Sequence, residues 1–259
     1  MNGPSYLETA QGRRIAYHLT AGEGPCVVFL GGLKSDMEGT KAIHLEDWAR
    51  EKGRAFLRFD YSGHGQSSGT FEQGCIGDWH VDTLAVIDGL TSGPVVPVGS
   101  SMGGWQSLLL ARARPERLAG LVTIAAAPDF TEDGWWAGFD ADQKAQMEET
   151  GRVELPSDYM EPYVVTKRMV EDGRAHLVLR DTLELPFAVR MLLGTADTAV
   201  SVATATRLLE HASSPDMQLL LVKDADHRFS DGPCLGLIER AIEDVIAAMT
   251  FEDMENGSA

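Results

Sequence analysis

The sequence predicts an α/β protein, a mostly parallel sheet of eight strands flanked by helices. Three observations predict it. Short apolar runs alternate with helix-like segments along the chain. One long interval interrupts that alternation. A serine sits inside Gly-x-Ser-x-Gly where one apolar run meets a helical stretch. Strands buried on both faces read as unbroken β-branched and aliphatic runs. Alternation of such runs with helices implies parallel strands joined by right-handed crossovers.

The elements follow in order. Two alternating stretches, 6–9 and 13–19, are joined by Gln11-Gly12 and read as an N-terminal β-hairpin. The apolar runs that follow are 26–30, 55–59, 95–98, 121–125, 189–193 and 218–222, which with the hairpin makes eight strands. Helices are predicted over 40–52, 76–90, 105–113, 202–210 and 235–249. Between Pro128 and Pro186 no convincing strand is legible. That interval holds Trp135, Trp136, a polar helical run over 140–150, Tyr159, Met160, Tyr163 and a helix-like run over 164–172. A gap this long inside a sheet protein reads as an inserted functional element. It follows the sixth strand, on the side where strand C-termini gather and ligands of open α/β sheets bind. The expectation is a helical lid over 128–186, on a core made of 1–127 and 187–250. Its aromatic residues either line a substrate pocket or form the lid's own small core. The polar tail over 251–259 is expected to be flexible.

Composition narrows the class. At 259 residues the chain can form one large α/β domain or two small ones. A hydrophobic content of 44% supplies ample core. A net charge of −17 disfavours nucleic acid and anionic membrane surfaces, since both are polyanions. No apolar run approaches the roughly 20 residues of a membrane span. The first ten residues carry neither a basic n-region nor an apolar h-region, so the cytoplasm is the expected compartment. Cys26, Cys75 and Cys234 are scattered and odd in number, which argues against a disulfide framework or a zinc site. Cys26 is expected in the core, and Cys75 and Cys234 nearer the surface.

The chemistry centres on Val98-Gly99-Ser100-Ser101-Met102-Gly103-Gly104. An apolar run leads in and a helical run leads out, as a nucleophile elbow requires. With 27 glycines in the chain the bare pattern is weak, so its partners decide the matter. A serine hydroxyl needs a histidine to take its proton, and the histidine needs a carboxylate to set its tautomer. For this elbow the chain order is serine, acid, histidine. Asp197 follows an apolar run and a glycine, at a strand's C-terminal edge. Asp224 and Asp226 compete but lie beside the histidine. A helix cap for the segment from Val202 suits Ser201 better than Asp197. His227 follows both Ser101 and Asp197 and lies just past the apolar run at 218–222. His211 sits at a helix end, His176 lies in the insertion, and His18, His44, His64 and His80 precede the serine. The segment Asp60-Tyr61-Ser62-Gly63-His64-Gly65-Gln66-Ser67 reads as a tight turn, with His64 and Ser67 assigned to packing. Oxyanion donors are expected from the backbone N–H of Met102 and of Leu33 in Gly31-Gly32-Leu33-Lys34, or of Gly32 if the turn falls one residue earlier.

These residues resemble the α/β-hydrolase superfamily. More narrowly the chain is similar to the abhydrolase-domain-10 group, the mycophenolic acid acyl-glucuronide esterase and palmitoyl-protein thioesterase family. The matching stretches are Met37-Glu38-Gly39-Thr40-Lys41-Ala42, Arg58-Phe59-Asp60-Tyr61-Ser62-Gly63, Gly99-Ser100-Ser101-Met102-Gly103-Gly104-Trp105, Pro156-Ser157-Asp158-Tyr159 and Asp226-His227-Arg228. The resemblance implies the α/β-hydrolase fold, Ser101 as nucleophile, Asp197 as acid and His227 as base. It implies hydrolysis of esters or thioesters, acylated proteins among them, with no cofactor and no metal. Two departures stand out. Gly31-Gly32 replaces the frequent His-Gly of the oxyanion loop, and no mitochondrial presequence is legible, which points to a cytosolic form. Other chemistry on the same triad, perhydrolysis or C–C bond hydrolysis, and a non-catalytic binding module are the rival readings.

Overall fold

A computed structural model describes residues 3–155 and 162–256. The strands are β1 (Ser5–Glu8), β2 (Arg14–Thr20), β3 (Glu23–Leu30), β4 (Arg54–Phe59), β5 (Val95–Ser100), β6 (Leu121–Ile124), β7 (Arg152–Leu155), β8 (Tyr163–Thr166), β9 (Leu183–Glu184), β10 (Val189–Gly194), β11 (Ala212–Ser213) and β12 (Met217–Val222). The α-helices are α1 (Thr40–Lys52), α2 (Ile76–Leu90), α3 (Met102–Ala113), α4 (Ala141–Thr150), α5 (Lys167–Arg174), α6 (Val202–His211) and α7 (Gly232–Asn256). Eight strands form one sheet in the order β1-β2-β4-β3-β5-β6-β10-β12. β1 and β2 are the predicted hairpin, and β2 also runs antiparallel to β4. From β4 to β12 every neighbouring pair is parallel.

The apolar runs are unbroken because alternate side chains feed two cores. In β3, Cys26, Val28 and Leu30 enter one core and Val27 and Phe29 the other. The first core is closed by α2, α3 and α6, the second by α1 and α7. A strand residue's side chains point alternately to the two faces, so a sheet sandwiched between helices needs apolar residues at every position. Burying each such Val, Leu or Phe contributes roughly 1.5–3 kcal/mol. All three cysteines are free and buried, so the expectation of a more exposed Cys75 and Cys234 is corrected.

The insertion after β6 departs from the purely helical expectation. It opens with a π-helical turn over Phe130–Trp136, continues through α4, and then forms an antiparallel ribbon in which Val153 of β7 faces Val165 of β8. The ribbon's alternation is legible after the fact. Arg152 and Glu154 are exposed while Val153 is buried. α4 is capped at Asp140, whose carboxylate accepts the Gln143 N–H while the Gln143 side chain accepts the Asp140 N–H. Trp136 and Leu155 pack with Phe139, Met147, Val153, Val165 and Val170 in a small core of the insertion's own.

Buried Asp129 ties the two ends of the insertion together. Its carboxylate accepts the N–H groups of Val178 at 2.8 Å and Leu179 at 3.0 Å. α5 is fastened to the sheet core by Arg168–Asp78 at 2.7 Å and by the Gly77 N–H to Asp172 at 2.7 Å. At the other end of the chain, α7 continues to Asn256, so residues 251–256 of the expected tail are helical. Tyr159, Met160 and the Pro156-Ser157-Asp158-Tyr159 stretch lie outside the described residues, as do 257–259. Among the described residues no helix is long and apolar enough to cross a membrane. Among them, too, no group of three or more His, Cys, Asp or Glu side chains could hold a metal ion.

Candidate active site

β5 ends at Ser100 and α3 begins at Met102, leaving Ser101 alone at the turn with φ 55° and ψ −116°. An L-residue side chain held there costs roughly 1–3 kcal/mol, offset by the surrounding contacts. The Ser101 N–H donates to the Ile124 carbonyl at 2.9 Å, and its own carbonyl accepts from Gly104 at 2.9 Å and Ala127 at 3.0 Å. The glycines of the motif are sterically required. A Cβ at Gly99 would sit 2.3 Å from the Gly103 carbonyl oxygen, and one at Gly103 2.0 Å from that of Leu30. At Gly104 it would meet the Ala126 Cβ at 2.5 Å. These glycines also explain why the helix starts at Met102 when helix propensity alone suggests Trp105: close packing overrides propensity.

The loops after β10 and β12 bring the other two residues to Ser101. The Ala196 N–H donates to the Ala225 carbonyl at 3.0 Å, joining the two loops. The Asp224 N–H donates to Thr195 Oγ1 at 2.9 Å. His227 Nδ1 lies 2.8 Å from Asp197 Oδ2, and His227 Nε2 lies 3.2 Å from Ser101 Oγ. Asp197 Oδ1 accepts the N–H groups of Ala199 and Val200, both at 2.8 Å. With both oxygens committed as acceptors, the Asp197 carboxylate assigns the proton to Nδ1 and leaves Nε2 to accept from the serine hydroxyl. The Asp197 side chain is fully buried, whereas that of His227 is 31% exposed, so water can reach the imidazole.

The loop after β3 runs beside the serine. A Cβ on Gly32 would lie 3.4 Å from Ser101 Cβ. The Gly32 carbonyl is held by the Ser35 N–H at 3.2 Å and the Ser35 hydroxyl at 2.8 Å. In a trans peptide the carbonyl and the following N–H point in opposite directions. Ser35 therefore sets the direction of the Leu33 N–H. Among the described residues neither the Leu33 nor the Met102 N–H is engaged by another protein group.

A cavity of about 760 Å³ opens on this arrangement, lined by Ser101, Met102, Leu33 and His227. Phe130, Trp135 and Tyr163 of the insertion form one part of its wall. Lys41, Asp226, Arg228 and Ser230 form another. Of the insertion's aromatic residues, Trp135 and Tyr163 line the cavity, Trp135 also packs against the insertion's small core, and Trp136 packs in that core. A smaller groove of about 390 Å³ beside β12 and α7 lies away from Ser101.

The remaining sequence candidates have structural places. His64 is buried against the rings of Tyr61, Phe71 and Trp79, and burial pushes its pKa down to about 4. Ser67 bridges the Ala16 N–H and the Asp60 carbonyl. Ser201 caps α6 through the Thr204 N–H at 3.1 Å. His211 faces the Asp181 carbonyl. His176 faces Asp172, and its carbonyl accepts from the Trp105 indole. Ser35, Lys41 and Arg228 are cavity residues that sequence reasoning did not single out as functional. Lys41 and Arg228 belong to stretches already quoted for the family resemblance. Ser35 carries no signal beyond its place after a double glycine.

The alpha/beta hydrolase family matches residues 27–248. The palmitoyl-protein thioesterase ABHD10, mitochondrial, of Homo sapiens is 34% identical over 244 residues, covering 93% of this chain and 79% of that protein. Its Bos taurus counterpart is 33% identical over 247 residues, with the same two shares, 93% and 79%. Among solved structures, a putative hydrolase from Agrobacterium vitis S4 superposes with a TM-score of 0.89 at 36% identity, covering 95% of this chain and 98% of that one. Mouse alpha/beta hydrolase domain-containing protein 10 superposes with a TM-score of 0.88 at 30% identity, covering 95% and 99%. By sequence and by fold, this chain belongs to the alpha/beta hydrolase family, in the group that includes the ABHD10 proteins.

Proposed function

We propose that the chain is a serine hydrolase of carboxylic esters and thioesters. The observation that carries this reading is the continuous path from Ser101 Oγ through the His227 imidazole to the Asp197 carboxylate. In this reading Ser101 Oγ attacks the acyl carbonyl carbon while its proton passes to His227 Nε2. The N–H groups of Met102 and Leu33 receive the developing oxyanion. The bond to the leaving oxygen or sulfur then breaks, and His227 gives its proton to the departing alcohol or thiol. The acyl group stays on Ser101. A water molecule loses its proton to His227 and attacks the ester, and Ser101 leaves with that proton. Acid and alcohol, or acid and thiol, are the products. Asp197 orients the imidazole and stabilises its cationic form.

We assign residues 128–186 the role of a cover over a core of 1–127 and 187–250, on the grounds that Phe130, Trp135 and Tyr163 line the cavity. The thioester arm draws on the names of the ABHD10 relatives, which are palmitoyl-protein thioesterases. The test is a panel of 4-nitrophenyl esters, acyl-CoA thioesters and an S-palmitoyl peptide, assayed with wild type and Ser101→Ala. The reading expects turnover of at least one ester or thioester class that the alanine variant loses by several orders of magnitude. Equal turnover by the two proteins would remove Ser101 from the mechanism.

A further inference from the structure

The loop that carries the Leu33 N–H contains a backbone outlier. Lys34 has φ 56°, in the left-handed region. The bond from the Ser35 N–H to the Gly32 carbonyl closes a turn with Leu33 and Lys34 as its central residues. A turn whose second central residue alone has positive φ favours glycine there. Another residue persists in that conformation only where its surroundings over-determine it. The surroundings of the Lys34 side chain do so.

Three groups meet its ammonium. Nζ lies over the Phe71 ring, 5.2 Å from the centroid, and over the Tyr163 ring at 5.4 Å. Both distances are within reach of a cation–π contact. Nζ also donates to the Pro162 carbonyl at 3.4 Å. Phe71 belongs to the sheet core, where its ring stacks on Trp79 at 5.8 Å and meets His64 at 5.4 Å. Pro162 and Tyr163 belong to the insertion, and Tyr163 opens β8 and lines the cavity. The ammonium therefore sits between a ring fixed in the core and a ring of the insertion. Its side chain is rooted one residue past Leu33. The other fastenings described for the insertion bypass this loop: Asp129 joins the insertion's own ends, and Arg168 and Asp172 reach α2.

We propose that Lys34 is a positioning residue that couples the insertion to the oxyanion loop. Its hold on Tyr163 and Pro162 keeps the Gly32–Ser35 turn in the strained form that sets the Leu33 N–H. Ser35 fixes that peptide from inside the turn, and Lys34 fixes the turn from outside. Loss of the joint weakens transition-state stabilisation more than substrate binding, because an oxyanion donor serves charge that develops only during reaction. The inference rests on the reading in which Ser101 is acylated and the Leu33 N–H receives the oxyanion.

The test measures kcat and KM for 4-nitrophenyl butyrate, and Ki for a boronic acid that forms a tetrahedral adduct on Ser101. Wild type is compared with Lys34→Met, Lys34→Gly and Lys34→Arg. Active-site titration with a fluorophosphonate refers each kcat to folded enzyme. Lys34→Met is expected to lose about 5-fold in kcat and in boronic acid affinity, with KM moved by less than about 2-fold, the scale of one cation–ring contact. Lys34→Gly relieves the turn of its strain yet loses as much, since the cation is gone. Lys34→Arg keeps a cation for both rings and retains most of the activity. In a Tyr163→Leu background the Lys34→Met loss shrinks, because the two residues share one contact. An unchanged kcat per titrated site in Lys34→Met, a change confined to KM, or a loss undiminished by Tyr163→Leu would each overturn the coupling. If Ser101→Ala still abolishes turnover in that case, the nucleophile stands. Turnover that survives Ser101→Ala overturns both.

Discussion

Ser35 grips the carbonyl of Gly32 twice, through its N–H at 3.2 Å and its hydroxyl at 2.8 Å. The grip fixes the plane of the peptide that also carries the Leu33 N–H. Ser35→Ala removes the hydroxyl bond and leaves the main-chain one. The expected loss is about 3- to 10-fold in kcat with little change in KM, the scale of one hydrogen bond of about 1 kcal/mol. Affinity for a boronic acid that mimics the tetrahedral intermediate falls in parallel, and Ser35→Thr restores part of both. A change confined to KM would assign Ser35 to substrate binding and not to oxyanion geometry.

Gly103 lies against the end of β3, where an added Cβ would stand 2.0 Å from the Leu30 carbonyl oxygen. Backbone must move to admit it. Gly103→Ala should cost at least about 3 kcal/mol. For a chain of this size that lowers the melting temperature by roughly 6–12 °C. Gly138, where an added Cβ meets nothing within 4 Å, is the control, and Gly138→Ala should melt as wild type does. Equal melting of the two variants would deny the close packing of the elbow.

Buried histidines give the fold an acid limit. Burial lowers both His64 and His80 from 6.5 to about 4. A histidine with a depressed folded-state pKa is protonated first in the unfolded chain. Its contribution is therefore complete above pH 6.5 and is lost as the pH falls toward 4. For His64, whose residue is only 3% exposed, the shift corresponds to stability on the order of 3 kcal/mol. Denaturant titrations at pH 7.5, 6 and 5 should show stability dropping across that window. His64→Phe should flatten the slope, and His80→Gln should flatten it independently. A wild-type slope of zero between pH 6.5 and 4 contradicts the burial argument.

Much of this architecture is legible in the sequence, for definite reasons. Strands buried on both faces leave unbroken apolar runs such as Val27-Val28-Phe29, and the order Ser101, Asp197, His227 follows the order of the sheet's C-terminal loops. The geometry of those three residues needed nothing beyond short motifs at strand ends. The β7–β8 ribbon was hidden because Tyr163–Thr166 runs directly into the strongly amphipathic α5, and a helical reading absorbs both. The extension of α7 past Met249 was hidden because its last turn is polar, so no apolar period marks it. Burial of Cys75 depends on where α2 lands, and that of Cys234 on where α7 does, which no local pattern records. Ser35, Lys41 and Arg228 come to one cavity only once the chain is folded, and single polar residues carry no periodic signature.

The central claim is that Ser101 is the acylated nucleophile, driven by His227. Treatment with a fluorophosphonate, followed by intact-mass and peptide-level mass spectrometry, reads this directly. The predicted result is a single adduct on the peptide containing Ser101, absent in Ser101→Ala and formed orders of magnitude more slowly in His227→Ala. An adduct on another residue, or labelling of native protein that is unchanged by Ser101→Ala, would contradict the account.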